Sequence, residues 1–497
     1  MTRLPTLLPL LFGLCLAIGS AHALVLDTDS GLTRRGAQLR VNAERVSLPA
    51  GEKMGLLGTS YLVDIDHGLA VGPAVYGAIS GQRGGLFTIG AEVAWRRRVV
   101  GPLSLDLGFY LGGGGGAAAP VGGGLMLRPH ADLLWDLGGH RVGLSYSQVR
   151  FANGSISSRQ FGLVWNADTD LSYVREDRIG LRVDGSGRSG VGFDRLQPVL
   201  GVYRPRGGVG RASGGALPRS IGFVGARFET PLGRNAYAGV EAAGAASGGV
   251  AGYAEYLGTL GAETPVWGDA LTVGARVALG MGGGGDIDTG GGLLAKASVY
   301  GIVRLAGNLG LTLEGGLTRA PQGSFKAVHA STSLVWVLDD PNELGAAETT
   351  RTEWVGGIEQ YDAVRRSGGS RALQAVALRV NRFVSPSVYL SGQAHSALGG
   401  QAGGYSVGLL GLGIQRPVGD GWRVGAEALA GAAGGGGVDT QGGFIVQPML
   451  YGHRDLAPGI GLRLGVGHVK GVRGPLSGNV VELSVAFTHG VLSHGGR

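Results

Sequence analysis

LTVGARVALGMGGGG, residues 271–285, alternates with a period of two and then runs into glycine. Leu271, Val273, Ala275, Val277 and Leu279 fall on one face, Thr272, Gly274, Arg276 and Ala278 on the other. That period belongs to a β-strand. LSLDLGFYLGGGGG (103–116) and WRVGAEALAGAAGGGG (422–437) repeat the pattern and its glycine ending. The second face is too bland for the solvated side of a soluble sandwich, which carries charge generously. A transmembrane barrel accounts for both faces, with the apolar side toward hydrocarbon and the small polar side toward a lumen.

Each segment sits inside a longer repeat. It is preceded by GLAVGPAVYGAIS (68–80) and GGLFTIGAEVAW (84–95), by AYAGVEAAGAAS (236–247) and AGYAEYLGTLGA (251–262), or by VYLSGQAHSAL (388–398) and GGYSVGLLGLGI (403–414). It is followed by GGGLML (122–127), GGGLLA (290–295) or QGGFIV (441–446), and each unit closes on FGLVW, SLVWV or LSVAF. The units span approximately 36–167, 195–339 and 350–490, and each resolves into eight strands. The predicted fold is all-β: one large antiparallel transmembrane barrel of about 24 strands (22–26) over residues 24–497, built from three eight-stranded repeats. Three tandem eight-stranded barrels form the second topology, with linkers near 166–196 and 339–351.

Composition narrows the class. Of 497 residues, 100 are glycine and 19 proline, without the three-residue period of collagen. Sustained alternation argues against disorder. The net charge of +7 is scattered, not gathered into a basic stripe with aromatics, so no nucleic-acid partner is expected. Arg3, the apolar run Leu7–Ile18 and Ala21-His22-Ala23 read as a signal peptide over 1–23. It contains the only cysteine, Cys15, so the mature chain must hold together without disulfides. Strands, not helices, must carry any membrane crossing, because no apolar run reaches ~18 residues.

With Val481, Leu483, Val485 and Phe487 alternating up to a final aromatic, the chain resembles the porin-like Gram-negative outer-membrane β-barrel class, architecturally and over nearly its whole length. A tail, Thr488–Arg497, follows where such chains usually stop. The resemblance implies outer-membrane lipid, lipopolysaccharide and the barrel-insertion machinery as partners. Trp165, Trp336 and Phe487 recur near the ends of the eighth strands and are expected in an aromatic girdle at the interface. With the N-terminus in the periplasm, the glycine tracts lie outside and form a smooth, mobile rim.

A 24-strand barrel is roughly 45–50 Å across. No plug domain or long constricting loop is apparent, so the expected function is a channel or export conduit whose lumen takes a polymer, a secreted cargo or a partner plug. A non-conducting anchoring barrel and a general solute porin are the alternatives. Asp106, Arg128, Arg276, Lys296, Glu314, Glu427 and Arg463 lie on the polar faces and are the lumen-facing charged candidates, setting ion selectivity or forming cross-strand ion pairs within the wall. No catalytic set is expected: His130, His329, His395, His453 and His468 recur at no equivalent position, and His395-Ser396 point to opposite faces. GGGGVDTQ (434–441) stands alone, so no calcium repeat is assigned; Asp286, Asp288 and Asp439 read as solvated turn carboxylates. No P-loop, HExxH or CxxC occurs, and neither cofactor nor metal is expected.

Overall fold

The computed structural model describes residues 32–184, 189–191, 193–268, 270–339 and 346–493. The signal segment with Cys15, and the last four residues of the tail, lie outside them. Eight antiparallel strands make a first closed barrel: β1 (Thr33–Ser47), β2 (Lys53–Asp66), β3 (Leu69–Ser80), β4 (Phe87–Val100), β5 (Leu103–Gly115), β6 (Met126–Asp136), β7 (His140–Phe151) and β8 (Ser157–Tyr173). A short β9 (Arg182–Asp184) follows. The second barrel comprises β10 (Arg195–Pro205), β11 (Ile221–Pro231), β12 (Ala236–Ala245), β13 (Ala254–Trp267), β14 (Leu271–Gly283), β15 (Leu293–Ala306), β16 (Leu309–Arg319) and β17 (Lys326–Val337). The third comprises β18 (Ala346–Val364), β19 (Ser370–Phe383), β20 (Val388–Ala397), β21 (Ser406–Gly419), β22 (Trp422–Gly434), β23 (Phe444–Ala457), β24 (Ile460–Gly471) and β25 (Ser477–Ser493), with β9 added on β18.

The single barrel of about 24 strands is therefore corrected to three. Each octet closes on itself: β1 pairs with β8 from Thr33↔Tyr173 to Glu44↔Gly162, β10 with β17, and β18 with both β19 and β25. Period-two alternation looks the same in either arrangement, because closure depends on which distant strand the first one meets. The expected tail also differs. Beyond Phe487 the chain stays in β25, paired with β18 as far as Glu348↔Ser493.

Up-and-down connectivity gives each barrel two ends. The turns after its first, third, fifth and seventh strands form the glycine end; the other turns and the barrel-to-barrel connections form the linker end. At the glycine end the barrels dock in a ring. The β3–β4 turn meets the β5–β6 turn's equivalent in the second barrel, where the Gly84 N–H donates to the Gly290 carbonyl at 2.9 Å. The third barrel returns to the first, where Gly403 and Gly404 N–H groups donate to Gly122 and Gly114 at 3.1 Å each. Between the second and third, a Cβ on Gly434 would lie 2.2 Å from the Gly252 nitrogen. A contact of unlike surfaces repeated around three bodies closes without a free end.

Gly85 shows why glycine is required there. Its φ is +96°, and a Cβ on it would sit 2.1 Å from the Gly284 nitrogen. Gly252 and Gly404 hold the equivalent places, with φ of +96° and +93° and the Gly435 and Gly116 nitrogens 2.8 Å from a built Cβ. The tracts expected to form a mobile rim are thus packed joints, backbone against backbone.

Along the walls, apolar seams continue the joints. Leu57, Phe87 and Met281 pack between the first two barrels, with Phe87 and Tyr256 rings 5.1 Å apart. Leu196, Ala226 and Leu390 join the second and third, and Tyr61 meets Trp354 at 6.3 Å between the first and third. The remaining outward faces, chiefly of the fifth to eighth strands, stay bare: Leu144, Phe161, Val277, Val299, Leu313, Leu464 and Leu483 are all exposed.

Candidate functional site

The inward faces of each octet converge on one narrow bore. Eight strands leave an interior that side chains can just fill, and here they fill it in layers. Toward the glycine end lies an apolar stopper. In the first barrel it includes Leu56, Tyr76, Tyr110, Met126 and Phe151; in the second, Tyr203, Phe223, Tyr253 and Phe325; in the third, Tyr361, Leu373, Tyr405 and Met449. Every one of these side chains is buried.

Below each stopper lies a belt of ion pairs. In the first barrel Arg128 on β6 grips Glu44 on β1 with two bonds of 2.9 Å, and Ser147 donates to Glu44 at 2.6 Å. Arg40 on β1 reaches Glu92 on β4 at 3.2 Å and also pairs with Asp132, while His130 bridges the same two carboxylates. In the second, Arg227 joins Glu241 at 2.5 Å and Glu314 at 2.6 Å; Arg276 joins Glu229 at 2.6 Å and Glu314 at 3.0 Å. Lys296 contacts Glu241 at 2.6 Å and also Glu255. In the third, Arg463 holds Glu427 at 2.8 Å and Glu482 at 3.3 Å, and Arg379 holds Glu482 at 2.7 Å and Glu359 at 3.3 Å. A charge deprived of water is tolerable only when paired and hydrogen-bonded, and these are.

All seven charged candidates are buried: Asp106, Arg128, Arg276, Lys296, Glu314, Glu427 and Arg463. Six join the three belts, while Asp106 lies nearer the linker end of the first bore, 3.2 Å from Arg96. Many pairs run across the bore between strands that are not neighbours, as Arg128–Glu44 and Arg227–Glu314 do. Sequence reading missed their partners, among them Arg40, Glu44, Glu92, Arg227, Glu241, Arg379 and Glu482. The available signal was opposite charge at inward positions of several strands in one octet, which a narrow bore forces into contact.

The wide, unstoppered lumen is accordingly corrected, because no bore is wider than eight strands allow and each contains its own side chains. Two members of the expected girdle are corrected as well. Phe487 is half exposed on the outer face of β25, but Trp336 packs against the seam between the second and third barrels. Trp165 is only 3% exposed and stacks on His140, with ring centroids 5.7 Å apart.

His130, His329 and His395 belong to the belts, where they approach Glu92, Glu314 and Glu359. The turn carboxylates do more than meet solvent. Asp286 accepts from the Ser213 N–H at 2.9 Å and O–H at 2.6 Å, and Asp288 accepts from the Gly290 and Ser324 N–H groups at 3.1 and 2.9 Å. Among the described residues no group of three or more His, Cys, Asp or Glu could hold a metal ion.

No protein-family model matches the chain, and no curated protein matches it. Among solved structures, it is similar to the outer membrane protein opdK from Pseudomonas aeruginosa, at 11% identity and a TM-score of 0.22, over 92% of this chain and 99% of that one. OpdQ of the same organism matches at 10% and 0.22, over 92% and 98%. Acinetobacter baumannii OccAB3 matches at 11% and 0.21, over 92% and 99%. The barrels are closed antiparallel sheets with apolar bare walls, the form in which strands can cross a lipid bilayer.

Proposed function

We propose that the chain is a structural, anchoring outer-membrane unit of three barrels that does not conduct at rest and has no catalytic role. One observation carries this reading: every bore is closed twice, by buried apolar side chains and by a buried ion-pair belt. Opening a path would strip both partners of several buried pairs, each costing roughly 3–5 kcal/mol when broken. On this reading the partners are outer-membrane lipid and the barrel-insertion machinery, the latter engaging β25.

A narrow solute porin is the second reading. It is favoured by the polar lower bore of the first barrel, where Arg96 and Asp168 remain partly exposed beside Gln38 and Arg141. Planar-bilayer recording decides between the two. The anchoring reading expects a baseline indistinguishable from protein-free lipid, and no swelling of proteoliposomes in small sugars. Regular ohmic steps with sugar-driven swelling would overturn it in favour of the porin.

A further inference from the structure

Just above the apolar belt at the glycine end, the same position carries a cation in all three barrels. Arg150, Arg319 and Lys470 are the basic residues ending the seventh strand, each outward and exposed, opposite Ser157, Lys326 and Ser477 respectively. In the second barrel the site is densest. Arg319 stands directly across from Lys326, Arg206 donates its backbone N–H to Lys326, and Arg204 lies opposite Val328 on the adjoining β10. Leu317 and Val328, one outward position nearer the membrane on each strand, are exposed and apolar. Arg206, Arg319 and Lys326 therefore stand about 7 Å along the strand from that apolar level, and Arg204, opposite Val328, stands at it.

Like charges placed directly opposite on a sheet repel. Among the described residues no carboxylate pairs with them. β10 and β17 contain no Asp or Glu, and the single acid of β16, Glu314, is inside the bore. Among the described residues, the side chains of Arg204, Arg206, Arg319 and Lys326 make no ion pair or hydrogen bond. The first barrel repeats the arrangement more loosely, with Arg45, Arg159 and Arg150 exposed on three consecutive strands.

We infer that this cluster is a binding site for the phosphate of a phosphorylated lipid headgroup, held at the barrel wall by Arg204, Arg206, Arg319 and Lys326. Guanidinium groups bind phosphate through paired donors, and the neighbouring apolar wall accepts acyl chains. A lipid supplies both at once. With the linker end toward the periplasm, as the outer-membrane reading has it, the site faces the outer leaflet. The inference rests on that placement but not on whether the bores conduct.

Native mass spectrometry of the full chain in detergent tests it without reference to orientation. Bis-phosphorylated lipid A is expected to bind at least tenfold more tightly than its dephosphorylated form. Arg319→Gln/Lys326→Gln should weaken that binding at least fivefold, Arg319→Lys should retain it, and Arg97→Gln/Arg98→Gln at the linker end should leave it unchanged. Inorganic phosphate at equal concentration should not displace the lipid. Equal binding of both lipid forms, equal loss in the linker-end pair, or displacement by inorganic phosphate would each overturn the assignment. Heat-shifted gel mobility confirms that each variant is folded.

Discussion

At Gly85 two barrels touch backbone to backbone, with no space for a methyl group; a few residues inward, Arg128 spans a bore to reach Glu44. Both places exclude water, but by opposite means. The joint removes side chains so that peptide groups of separate barrels can bond. The bore uses the longest charged side chains available, because eight strands curve around a space that small residues cannot fill. Specificity differs accordingly: a joint is sensitive to volume, and a bore is sensitive to charge.

That contrast can be broken from the bore side first. Arg463→Met keeps much of the volume but leaves Glu359, Glu427 and Glu482 to share Arg379, an excess of buried negative charge that should cost about 3–5 kcal/mol. Urea unfolding in lipid vesicles would show it as a lowered midpoint, and a loss below about 1 kcal/mol would mean that the belt is hydrated. Next is the joint. Gly85→Ala adds one methyl at positive φ against the Gly284 backbone, and backbone strain alone should cost roughly 1–3 kcal/mol. Gly408→Ala, where a Cβ meets nothing within 4 Å, should stay within about 0.5 kcal/mol. If the two glycine variants unfold alike, the tracts are not joints.

The smallest effect sharpens the comparison at a turn. Asp286 loses some hydration, which pushes its carboxyl up, but the Ser213 hydrogen bonds and then Arg211 outweigh this and hold it below the ordinary carboxylate value. A lowered folded-state pKa stabilises above the unfolded value, near ~4, and that stability is lost as pH falls through the folded one. Hydrogen exchange at the Ser213 amide should therefore quicken only in acid, and Asp286→Asn should show the faster rate already at pH 7.

Much of the octet was legible. The alternating segments at 103–116, 271–285 and 422–437 appear as the fifth strands, Leu103–Gly115, Leu271–Gly283 and Trp422–Gly434. Arg276 and Glu427 are buried, while Val277 and Val424 on the alternate positions of the same strands are exposed. Closure was not legible. The pairing of Val41 with Trp165 joins residues far apart in sequence, and neither residue carries a local mark of it. With closure taken as one ring, the bore reads as a wide lumen and the glycines as its rim, whereas Gly85 packs against Gly284 and ion-pair belts fill each narrow bore.

Docking of three unlike copies within one polypeptide has a further consequence. An assembly of identical subunits must accept every substitution three times over, so a change that suits one copy is imposed on the others. Arg128, Lys296 and Gln447 occupy corresponding places in the sixth strands, yet one grips Glu44, one contacts Glu241 and Glu255, and one donates to Glu359. Tandem linkage lets each cylinder drift toward its own chemistry while the glycine contacts that hold the ring remain fixed.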